Sequence, residues 1–314
     1  MLVMLQQSYD ELSRECISAS RLAVLGITII VLGVSPAWAT YPGENGRIAF
    51  TGHFTGTWQL YTMNPDGSDV VQVTTLPPTE NPAWFQDYSP DGKQLVFCHD
   101  MSGAMELYVI NAHGTGLTQV THDGTENIFP RWSPDGTHIL FSTLFNGDFG
   151  SHHLAAIRLD GSERTVLTNI LFDDYQAEYT VDGTHILFGS TTNNFISAIW
   201  ETDANGKHKK EITLPALKAS GPDVSPDGEH MVFYGHQNTD VFGEIWVGRT
   251  DGTHLRQLTR KLHAGNPAFS PDGSKIVFND GVGNIGIMNA DGSDVKVVLS
   301  CTEGCPLPDW GAKP

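Results

Sequence analysis

The sequence is 314 residues long and strongly acidic, with 36 Asp and Glu against 18 Lys and Arg and a formal net charge of −18 at pH 7. A surface of that sign repels phosphate groups, so nucleic acids and anionic membranes are poor partners. The four cysteines form no pattern typical of zinc or haem sites, because only one close pair and no CxxCH motif occur.

The first 39 residues differ in character from the rest of the chain. Arg21 precedes an apolar run of 13 residues, 22–34, and small residues follow up to Ala39. This order is typical of a secretory signal cleaved after Ala39. The run is shorter than the ~20 residues that span a bilayer, which favours cleavage over an uncleaved anchor. We therefore predict a signal peptide at 1–39, a mature domain at 40–314, and a periplasmic or secreted protein with no integral membrane segment after processing.

Export bears on the cysteines of the mature chain. In an oxidising compartment, the CTEGC spacing of Cys301 and Cys305 predicts a small disulfide in the last loop, with Cys98 left over. A metal pair is the alternative, and it is weaker because no second pair of thiols lies nearby.

From residue 45 onward the chain repeats itself. A Ser-Pro-Asp-Gly turn or a close variant recurs at intervals of 44 to 47 residues, with its acid at Asp91, Asp135, Asp182, Asp227 and Asp272. Pro presets φ, Asp bonds the turn backbone and Gly accepts a positive φ, so each motif predicts a tight hairpin. A period of this length is typical of repeat architectures.

Each unit predicts four short strands. An inner segment precedes the turn, and an apolar second strand follows it and closes on a phenylalanine: Phe97, Phe141, Phe188, Phe233 and Phe278. The third strand runs into an Asp-Gly type turn, and the fourth ends in an apolar residue followed by Thr, as in Val73-Thr74. Four antiparallel strands per repeat make one blade of a β-propeller.

The two chain ends predict the number of blades. Residues 47–50 resemble a second strand without an inner strand before it, and residues 308–311 resemble an inner strand without the other three. Together they form one composite blade, which leaves no open edge in the ring. With five complete units, the prediction is an all-β, six-bladed propeller of four-stranded antiparallel blades.

The units P-x-W-S-P-D-G, I-x-F, Y-x-M-N, D-G and L-T resemble the WD-type repeat of the TolB-like β-propeller family over residues 45–314. The resemblance implies the fold. It does not imply one activity, because this propeller serves many binding and enzymatic roles. It also implies a TolB-like chain without the N-terminal α/β domain of TolB, because residues 40–45 offer no room for it.

One inner segment departs from the pattern. Pro82 to Tyr88 is four residues longer than Pro130 to Trp132. We expect inserted material near the channel, which either shapes a site or bulges the strand.

Ligand residues are expected on the face opposite the short turns, among the longer loops and blade connections. Polar residues there enter successive inner strands near the channel mouth: Glu80, Asn81, Glu126, Asn127, Asp173, Asp174 and Asn266. This ring is the predicted binding site for a cation, a sugar or a basic peptide. Solvated loop ends are the alternative for any single member.

Histidines supply an alternative metal site on the same face. His53, His99 and His236 each follow the Phe of a second strand in a different unit. As metal ligands they would suit a metal-dependent lyase of the oligogalacturonate type, a family that also resembles this repeat. Six blades in place of seven and an acidic surface that repels polyuronate argue against that function. We favour scattered polar loop residues.

Catalytic motifs are absent from the sequence, which has neither G-x-S-x-G nor H-E-x-x-H. A G-x-G-x-x-G match at 281–286 is predicted to join two strands, which is the wrong context for dinucleotide binding. We therefore predict a monomeric binding module without catalytic residues or cofactor. Its expected partner is an envelope or extracellular protein or a carbohydrate.

Overall fold

The structure is a computed structural model that describes residues 41–78, 83–144, 151–168, 173–191, 197–213, 217–237 and 243–314. Within those ranges the chain forms 24 short strands and no helix. The same ranges accordingly contain no helix long and apolar enough to cross a bilayer. The predicted signal peptide and the predicted ligand residues Glu80 and Asn81 lie outside the described residues.

Antiparallel pairing groups the strands into six four-stranded sheets, the blades of a propeller. From inner to outer edge, blade 1 contains β24 (Asp309–Ala312), β1 (Asn45–Gly52), β2 (Gln59–Met63) and β3 (Val71–Gln72). Blade 2 contains β4 (Trp84–Tyr88), β5 (Gln94–His99), β6 (Glu106–Asn111) and β7 (Thr118–Gln119). Blade 3 contains β8 (Asn127–Trp132), β9 (His138–Thr143), β10 (His153–Arg158) and β11 (Thr165–Val166).

The remaining blades follow the same plan. Blade 4 contains β12 (Asp173–Tyr179), β13 (His185–Thr191), β14 (Ser197–Asp203) and β15 (Lys210–Glu211). Blade 5 contains β16 (Leu217–Val224), β17 (His230–Gln237), β18 (Glu244–Arg249) and β19 (Arg256–Gln257). Blade 6 contains β20 (Gly265–Phe269), β21 (Lys275–Asn279), β22 (Ile285–Asn289) and β23 (Lys296–Leu299). The predicted six-bladed, all-β architecture is confirmed.

The ring is closed by strands from both ends of the chain. Ile48 pairs with Trp310 and Ala49 with Asp309 across β1 and β24, and Ile48 and Trp310 are buried. Inner strands contact one another in cyclic order, from β24 through β4, β8, β12, β16 and β20 back to β24. The blades therefore surround a central channel, and the predicted closure is confirmed.

The Ser-Pro-Asp-Gly turns are held by one repeated set of hydrogen bonds. In blade 3, the Ser133 hydroxyl donates to Asp135 Oδ1 over 2.6 Å and accepts the His138 N–H over 2.9 Å. Asp135 Oδ1 also accepts the Thr137 N–H over 3.0 Å. In blade 4, Thr180 replaces Ser and its hydroxyl makes the equivalent bonds. The substitution therefore preserves the turn, because the hydroxyl is the group that the turn requires.

The Thr after the fourth strand has a similar structural role. In blades 1 to 5 its hydroxyl accepts a backbone N–H of the third strand over 2.8 to 3.0 Å. The accepting residues are Thr74, Thr121, Thr168, Thr213 and Thr259. This bond ties the end of the fourth strand to the third strand of the same blade. The backbone pairing there is weak, because the fourth strand is only two residues long.

The Asp-Gly turns join neighbouring blades. Gly252 of blade 5 has a φ of +83° and lies against the backbone carbonyl of Ile212 in blade 4. A Cβ at Gly252 would collide with that carbonyl oxygen. Glycine is required here both by the left-handed backbone and by the close approach. Blades 1 to 4 make the same kind of contact with a carbonyl of the preceding blade in the ring, through Gly67, Gly114, Gly161 and Gly206. In blade 6, Gly292 lies instead against the side chain of Leu258.

The core lies between the blades and repeats in the same way. The phenylalanine that closes each second strand is at most 2% exposed: Phe50, Phe97, Phe141, Phe188, Phe233 and Phe278. Burial of such a side chain contributes about 1.5–3 kcal/mol. The predicted Cys301 to Cys305 disulfide is present, with a Cα to Cα distance of 5.8 Å, and Cys98 is a buried free thiol.

Candidate functional site at the channel mouth

A ring of left-handed residues surrounds one end of the channel. In every inner strand from β4 to β20 the pairing shifts at a bulge. One residue in each bulge, and one residue just before β24, has a φ between +46° and +61°. These six residues, which we call the mouth ring, line a single cavity: Leu307, Phe85, Phe129, Gln176, Gly221 and Asn266.

The bulge corrects one expectation from the sequence. The segment before Tyr88 was expected to carry inserted material, but the four other complete blades bulge at the same place. The bulge is a property of the repeat. Positive φ costs a non-glycine residue about 1–2 kcal/mol, and backbone strain of this kind is concentrated at functional sites.

The mouth ring has an apolar half and a polar half. Leu307, Phe85 and Phe129 belong to blades 1 to 3, and the rings of the two phenylalanines lie 4.0 Å apart between centroids. Trp84 stacks on Phe85 at 5.9 Å and on Trp58 at 6.4 Å. Aromatic rings therefore extend outward from the apolar half, which offers the flat surface that ligand rings and apolar side chains pack against.

The polar half contains Gln176, Gly221 and Asn266 of blades 4 to 6, and there the mouth opens sideways. A cavity of about 550 Å³ adjoins all three residues. We call it the side pocket; its wall also includes Tyr234 and Asp280. The volume is in the range of about 300–1,000 Å³ that is typical of small-molecule sites.

Charged side chains occupy the channel below the mouth ring. They stand two positions after each mouth-ring residue, in the order Asp309, Asp87, Arg131, Glu178, Asp223 and, without a charge, Ala268. Four carboxylates thus face one guanidinium, which contacts Glu178 over 3.1 Å between Nε and Oε2. The channel therefore contains more acidic than basic side chains.

Three of these carboxylates also connect blades. Asp309 accepts the N–H of Tyr88 over 2.9 Å. Asp87 and Asp223 each accept an N–H from the next blade over 2.7 Å. Because these oxygens are fixed by the fold, the channel carries a preorganised negative field.

Burial and mutual repulsion shift the titration of the channel acids. Burial raises the pKa of Asp87 and Glu178 well above the usual values. Nearby carboxylates add to this effect, Asp309 and Asp223 for Asp87 and chiefly Asp87 for Glu178. Burial also raises the pKa of Asp309. Burial lowers the pKa of Arg131, but the neighbouring carboxylates outweigh it and raise the pKa, so the guanidinium remains charged. A cationic group entering the channel would relieve this repulsion.

A short segment crosses the opposite end of the channel. The Tyr41 hydroxyl lies 3.3 Å from the carbonyl oxygen of Trp132 in blade 3, while the Gly43 N–H donates to Pro271 in blade 6 over 3.1 Å. Blades 3 and 6 are opposite each other in the ring. Burial and the channel carboxylates raise the pKa of Tyr41. The segment lies across the turn face, at the end of the channel away from the mouth ring.

Glu126 and Asp173, two predicted ligand residues, meet at a histidine between blades 3 and 4. His152 Nδ1 lies 2.8 Å from Asp173 Oδ1, and His152 Nε2 lies 3.4 Å from Glu126 Oε1. Burial alone lowers the pKa of His152, but the bond to Asp173 and the nearby charges raise it. The trio holds the starts of two inner strands together and keeps a partly exposed Glu126 carboxylate, 43% accessible, at the surface.

The other predicted ligand residues separate into two groups. Asn127 and Asp174 are fully buried inside their blades, where Asn127 Nδ2 donates to Glu106 over 2.9 Å and Asp174 pairs with Lys209 over 2.8 Å. Asn266 lies on the mouth ring, and its Nδ2 donates to Asn279 over 2.8 Å. Of the described members, Asn266 lines the mouth and Glu126 and Asp173 lie at strand entries.

The three histidines of the alternative metal site have separate surroundings. His53 contacts Glu303 of the disulfide loop over 2.5 Å, and the nearly fully buried His99 accepts the Met101 N–H over 2.9 Å. In the part of the chain that the structure describes, metal-like donors gather as a group of three only at Asp227, Glu229 and His230 on the turn face. His53, His99 and His236 are not brought together as a ligand set there.

Comparison with known proteins agrees with the repeat architecture. PD40, the TolB beta propeller domain, matches residues 147–313, which is more than half of the chain. Tol-Pal system protein TolB of Anaeromyxobacter dehalogenans strain 2CP-C is 37% identical over 117 residues, 35% of this chain and 26% of that protein. The chain thus matches about a quarter of the length of the curated relative.

Solved structures share the fold at lower sequence identity. TolB from Acinetobacter baumannii superposes with a TM-score of 0.72 and 22% identity, covering 85% of this chain and 67% of that one. Oligogalacturonate lyase from Vibrio parahaemolyticus superposes with a TM-score of 0.59 and 12% identity, covering 84% and 77%. These likenesses show the fold alone, whereas the domain match shows the family. The chain belongs to the TolB beta propeller domain family.

Proposed function

We propose that this protein is an exported binding module that takes an envelope or extracellular ligand, a protein or a carbohydrate, into its channel mouth. The observation that carries the proposal is the mouth ring. Its six positions are equivalent in backbone and converge on one cavity, yet they hold Phe, Phe, Gln, Gly, Asn and Leu. The equivalent core position holds Phe in all six blades. All six residues are partly exposed, and variation at a repeated, accessible position is typical of a ligand-binding surface on a rigid scaffold.

The chemistry of the mouth supports binding rather than turnover. The apolar half and its stacked aromatic rings supply contact area, and the acidic channel favours a neutral or cationic ligand. Asp309, Asp87 and Asp223 already accept backbone N–H groups. One oxygen of each of these carboxylates is thus held by the backbone, which fixes the orientation of the carboxylate relative to the mouth.

Export is supported by two features of the sequence and structure. The predicted secretory signal at 1–39 precedes the propeller, and the Cys301 to Cys305 disulfide is a bond that persists in oxidising compartments. The match to TolB of a Tol-Pal system supports a protein partner, but it covers only part of that relative.

The alternative of a metal-dependent lyase has less support. Its proposed ligands His53, His99 and His236 have separate partners or positions among the described residues. The four channel carboxylates would also repel a polyuronate chain.

Site-specific cross-linking tests the proposal directly. A photo-reactive amino acid replaces Phe129 on the mouth ring or, as the control, Val71 on the outer strand β3, which is 45% exposed. In the native host, we expect a protein adduct from position 129 and none from position 71. Binding of the purified protein to a glycan array tests for a carbohydrate ligand.

Any ligand found in either arm is then measured against Phe129→Ala and Val71→Ala. We expect at least about tenfold weaker binding for Phe129→Ala, since an aromatic anchor contributes about 1–2 kcal/mol or more, and no change for Val71→Ala. Equal affinity of both variants for every ligand found would place binding elsewhere and reject the proposal.

A further inference from the structure

The side pocket exists because bulky side chains are missing from two neighbouring inner strands. The mouth-ring residue and the residue before it are Trp84-Phe85 in blade 2 and Ile128-Phe129 in blade 3. The same two positions are Ser220-Gly221 in blade 5 and Gly265-Asn266 in blade 6. Small residues at this one seam leave the opening of about 550 Å³. The loop with Gly281 and Gly283 forms another wall of the pocket. Both of these residues are glycines, so they present backbone and no side chain to the pocket.

Hydrogen-bonding groups of both kinds face this space. Tyr234 Oη accepts the N–H of Gly243 over 3.0 Å, which leaves its own proton to donate. Asn266 uses its Nδ2 on Asn279, which leaves its carbonyl oxygen to accept. The Gln176 carboxamide makes no hydrogen bond within the described residues, so it offers both a donor and an acceptor. A ligand rich in hydroxyl groups matches such a mixture, because each hydroxyl both donates and accepts.

The pocket also presents an uncovered aromatic ring. A Cβ added at Gly265 would lie 3.6 Å from Cδ2 of Tyr234, in ordinary contact with the ring. The absence of that side chain leaves the ring edge accessible from the pocket. Ring carbons exposed in this way offer apolar contact to the C–H groups of a sugar ring.

The charge of the pocket narrows the ligand class. Asp280 and His263 lie in its wall, and no Lys or Arg lines it within the described ranges. The channel carboxylate of Asp223 lies in the adjoining cavity, which shares Gln176 and Asn266 with the pocket. An anionic ligand would therefore be repelled, while a neutral or amino-bearing ligand would not.

We propose that the side pocket binds a carbohydrate residue without negative charge, a neutral or amino sugar of a glycan. The sugar ring lies against Tyr234, and its hydroxyl groups bond to Gln176 and Asn266. This rests on the proposed function and names the ligand class for the polar half of the mouth. Gly221 alone among the mouth-ring residues lacks a side chain, and it lines both the mouth cavity and the side pocket. The Gln176 carboxamide borders this Gly221 gap, with atoms 3.3 to 3.6 Å from the position of an added Cβ.

Filling the gap tests the proposal. Gly221 has a φ of +59°, a conformation that Asn tolerates better than other non-glycine residues, and blade 6 already has Asn at the equivalent position, Asn266. Gly221→Asn should therefore retain the fold and narrow the pocket. The matched control is Gly56→Asn, where φ is +82° and no atom lies within 4 Å of an added Cβ.

The probes are maltose, cellobiose, chitobiose and glucosamine, with digalacturonate as the acidic counterpart, and affinity is measured by calorimetry and saturation-transfer NMR. We expect at least one neutral or amino sugar to bind and digalacturonate to bind more weakly. Gly221→Asn should weaken that binding at least about tenfold. Gln176→Ala should weaken it about three- to tenfold, the value of a hydrogen bond. Gly56→Asn should leave it unchanged.

Three results would overturn the proposal: no binding of any uncharged or amino sugar, unchanged affinity in Gly221→Asn, or tighter binding of digalacturonate. A ligand that still depends on Phe129 in any of these cases would retain the proposed function and reject only the assignment of an uncharged or amino sugar to the side pocket. A ligand that depends on neither Phe129 nor Gly221 would reject both.

Discussion

The two ends of the channel are built from the same six repeats, yet they are organised in opposite ways. On the turn face, hydroxyl, Asp and Gly make the same contacts in five blades. At the mouth, one backbone position holds five residue types in six blades. Residue identity is constrained on the turn face, because the side chains there hold the turns of the blades. At the mouth the fold requires only the backbone conformation, so the side chains vary.

The acids of the two ends titrate in opposite directions. On the turn face, hydrogen bonds from the turn outweigh burial and lower the pKa of Asp91, Asp135, Asp182, Asp227 and Asp272. In the channel, burial raises the pKa of Asp87, Glu178 and Asp309. The turn acids therefore stabilise the fold as anions, whereas the channel acids are destabilised as anions.

The largest expected effect comes from removing the strand that serves both ends. Deleting residues 306–314 removes Leu307 from the mouth, Asp309 from the channel and the buried Trp310. Loss of one large buried aromatic costs about 3–5 kcal/mol, and the unpaired β1 adds to this, so the total approaches the ~5–15 kcal/mol stability of a domain. We expect loss of cooperative thermal unfolding by circular dichroism. Deleting residues 313–314 alone is the control, and a 306–314 deletion that melts within a few degrees of the intact protein would contradict ring closure.

A smaller effect is expected from one turn-face glycine. Gly252→Ala forces a Cβ against the Ile212 carbonyl at a φ of +83°, and we expect a loss of about 3 kcal/mol in unfolding free energy. Gly56→Ala, at a φ of +82° with open space around it, carries the backbone strain alone and should lose about 1–2 kcal/mol. Urea unfolding measures both. Equal losses would mean that the contact between blades contributes nothing.

The sequence predicts the turn face better than the mouth. Ser-Pro-Asp-Gly is a local signal, since its hydrogen bonds span at most five residues, and the strands, blade count and closure follow from its period. The mouth ring depends on a bulge in the pairing of β4 with β5 and its equivalents, which no single segment encodes. A signal was nevertheless available, because four mouth-ring residues stand directly before Pro: Phe129, Gly221, Asn266 and Leu307.

Dependence on strand pairing also explains why only some of the predicted ligand residues lie at the mouth. Asn127 and Asp174 follow Glu126 and Asp173 in sequence, but successive side chains of a strand point to opposite faces. They therefore turn into the blades, where they are fully buried. Asn266 belongs to the bulge register instead. The position of these residues along the chain was enough to predict the end of the propeller at which they lie. The direction of each side chain could be predicted only with the strand pairing.

The opposite titration of the two ends predicts opposite responses to pH. The folded pKa of Glu178 is raised, so wild-type stability should fall as pH rises above the unfolded value of about 4.3. Glu178→Gln should flatten that fall above about pH 4. For Asp135, burial raises the pKa but hydrogen bonds from Ser133 and Thr137 outweigh it and lower it. Its contribution is lost as pH falls below about 4, and Asp135→Asn should flatten the curve there instead. Urea unfolding across pH 3–8 measures both, and variants that flatten the same window would contradict the contrast.

The smallest effect on stability is expected at the entry of blades 3 and 4. Glu126→Ala with Asp173→Ala removes both carboxylates around the partly exposed His152, and a partly exposed ion pair is worth only ~0–1 kcal/mol. The pKa of His152 should fall, because the bond to Asp173 that outweighs its burial is gone, and NMR titration of the imidazole measures this.

The same double variant tests whether the predicted acidic residues reach the ligand. If Glu126 and Asp173 contact a ligand at the mouth, binding should weaken several-fold while the melting temperature changes by only a few degrees. Asp294→Ala is the matched control, because Asp294 forms an exposed pair with Lys296 of the outer strand β23 over 2.8 Å. A shifted His152 pKa with undiminished binding would show that the carboxylates serve the joint between blades and that the ligand contacts only the mouth ring and its side pocket.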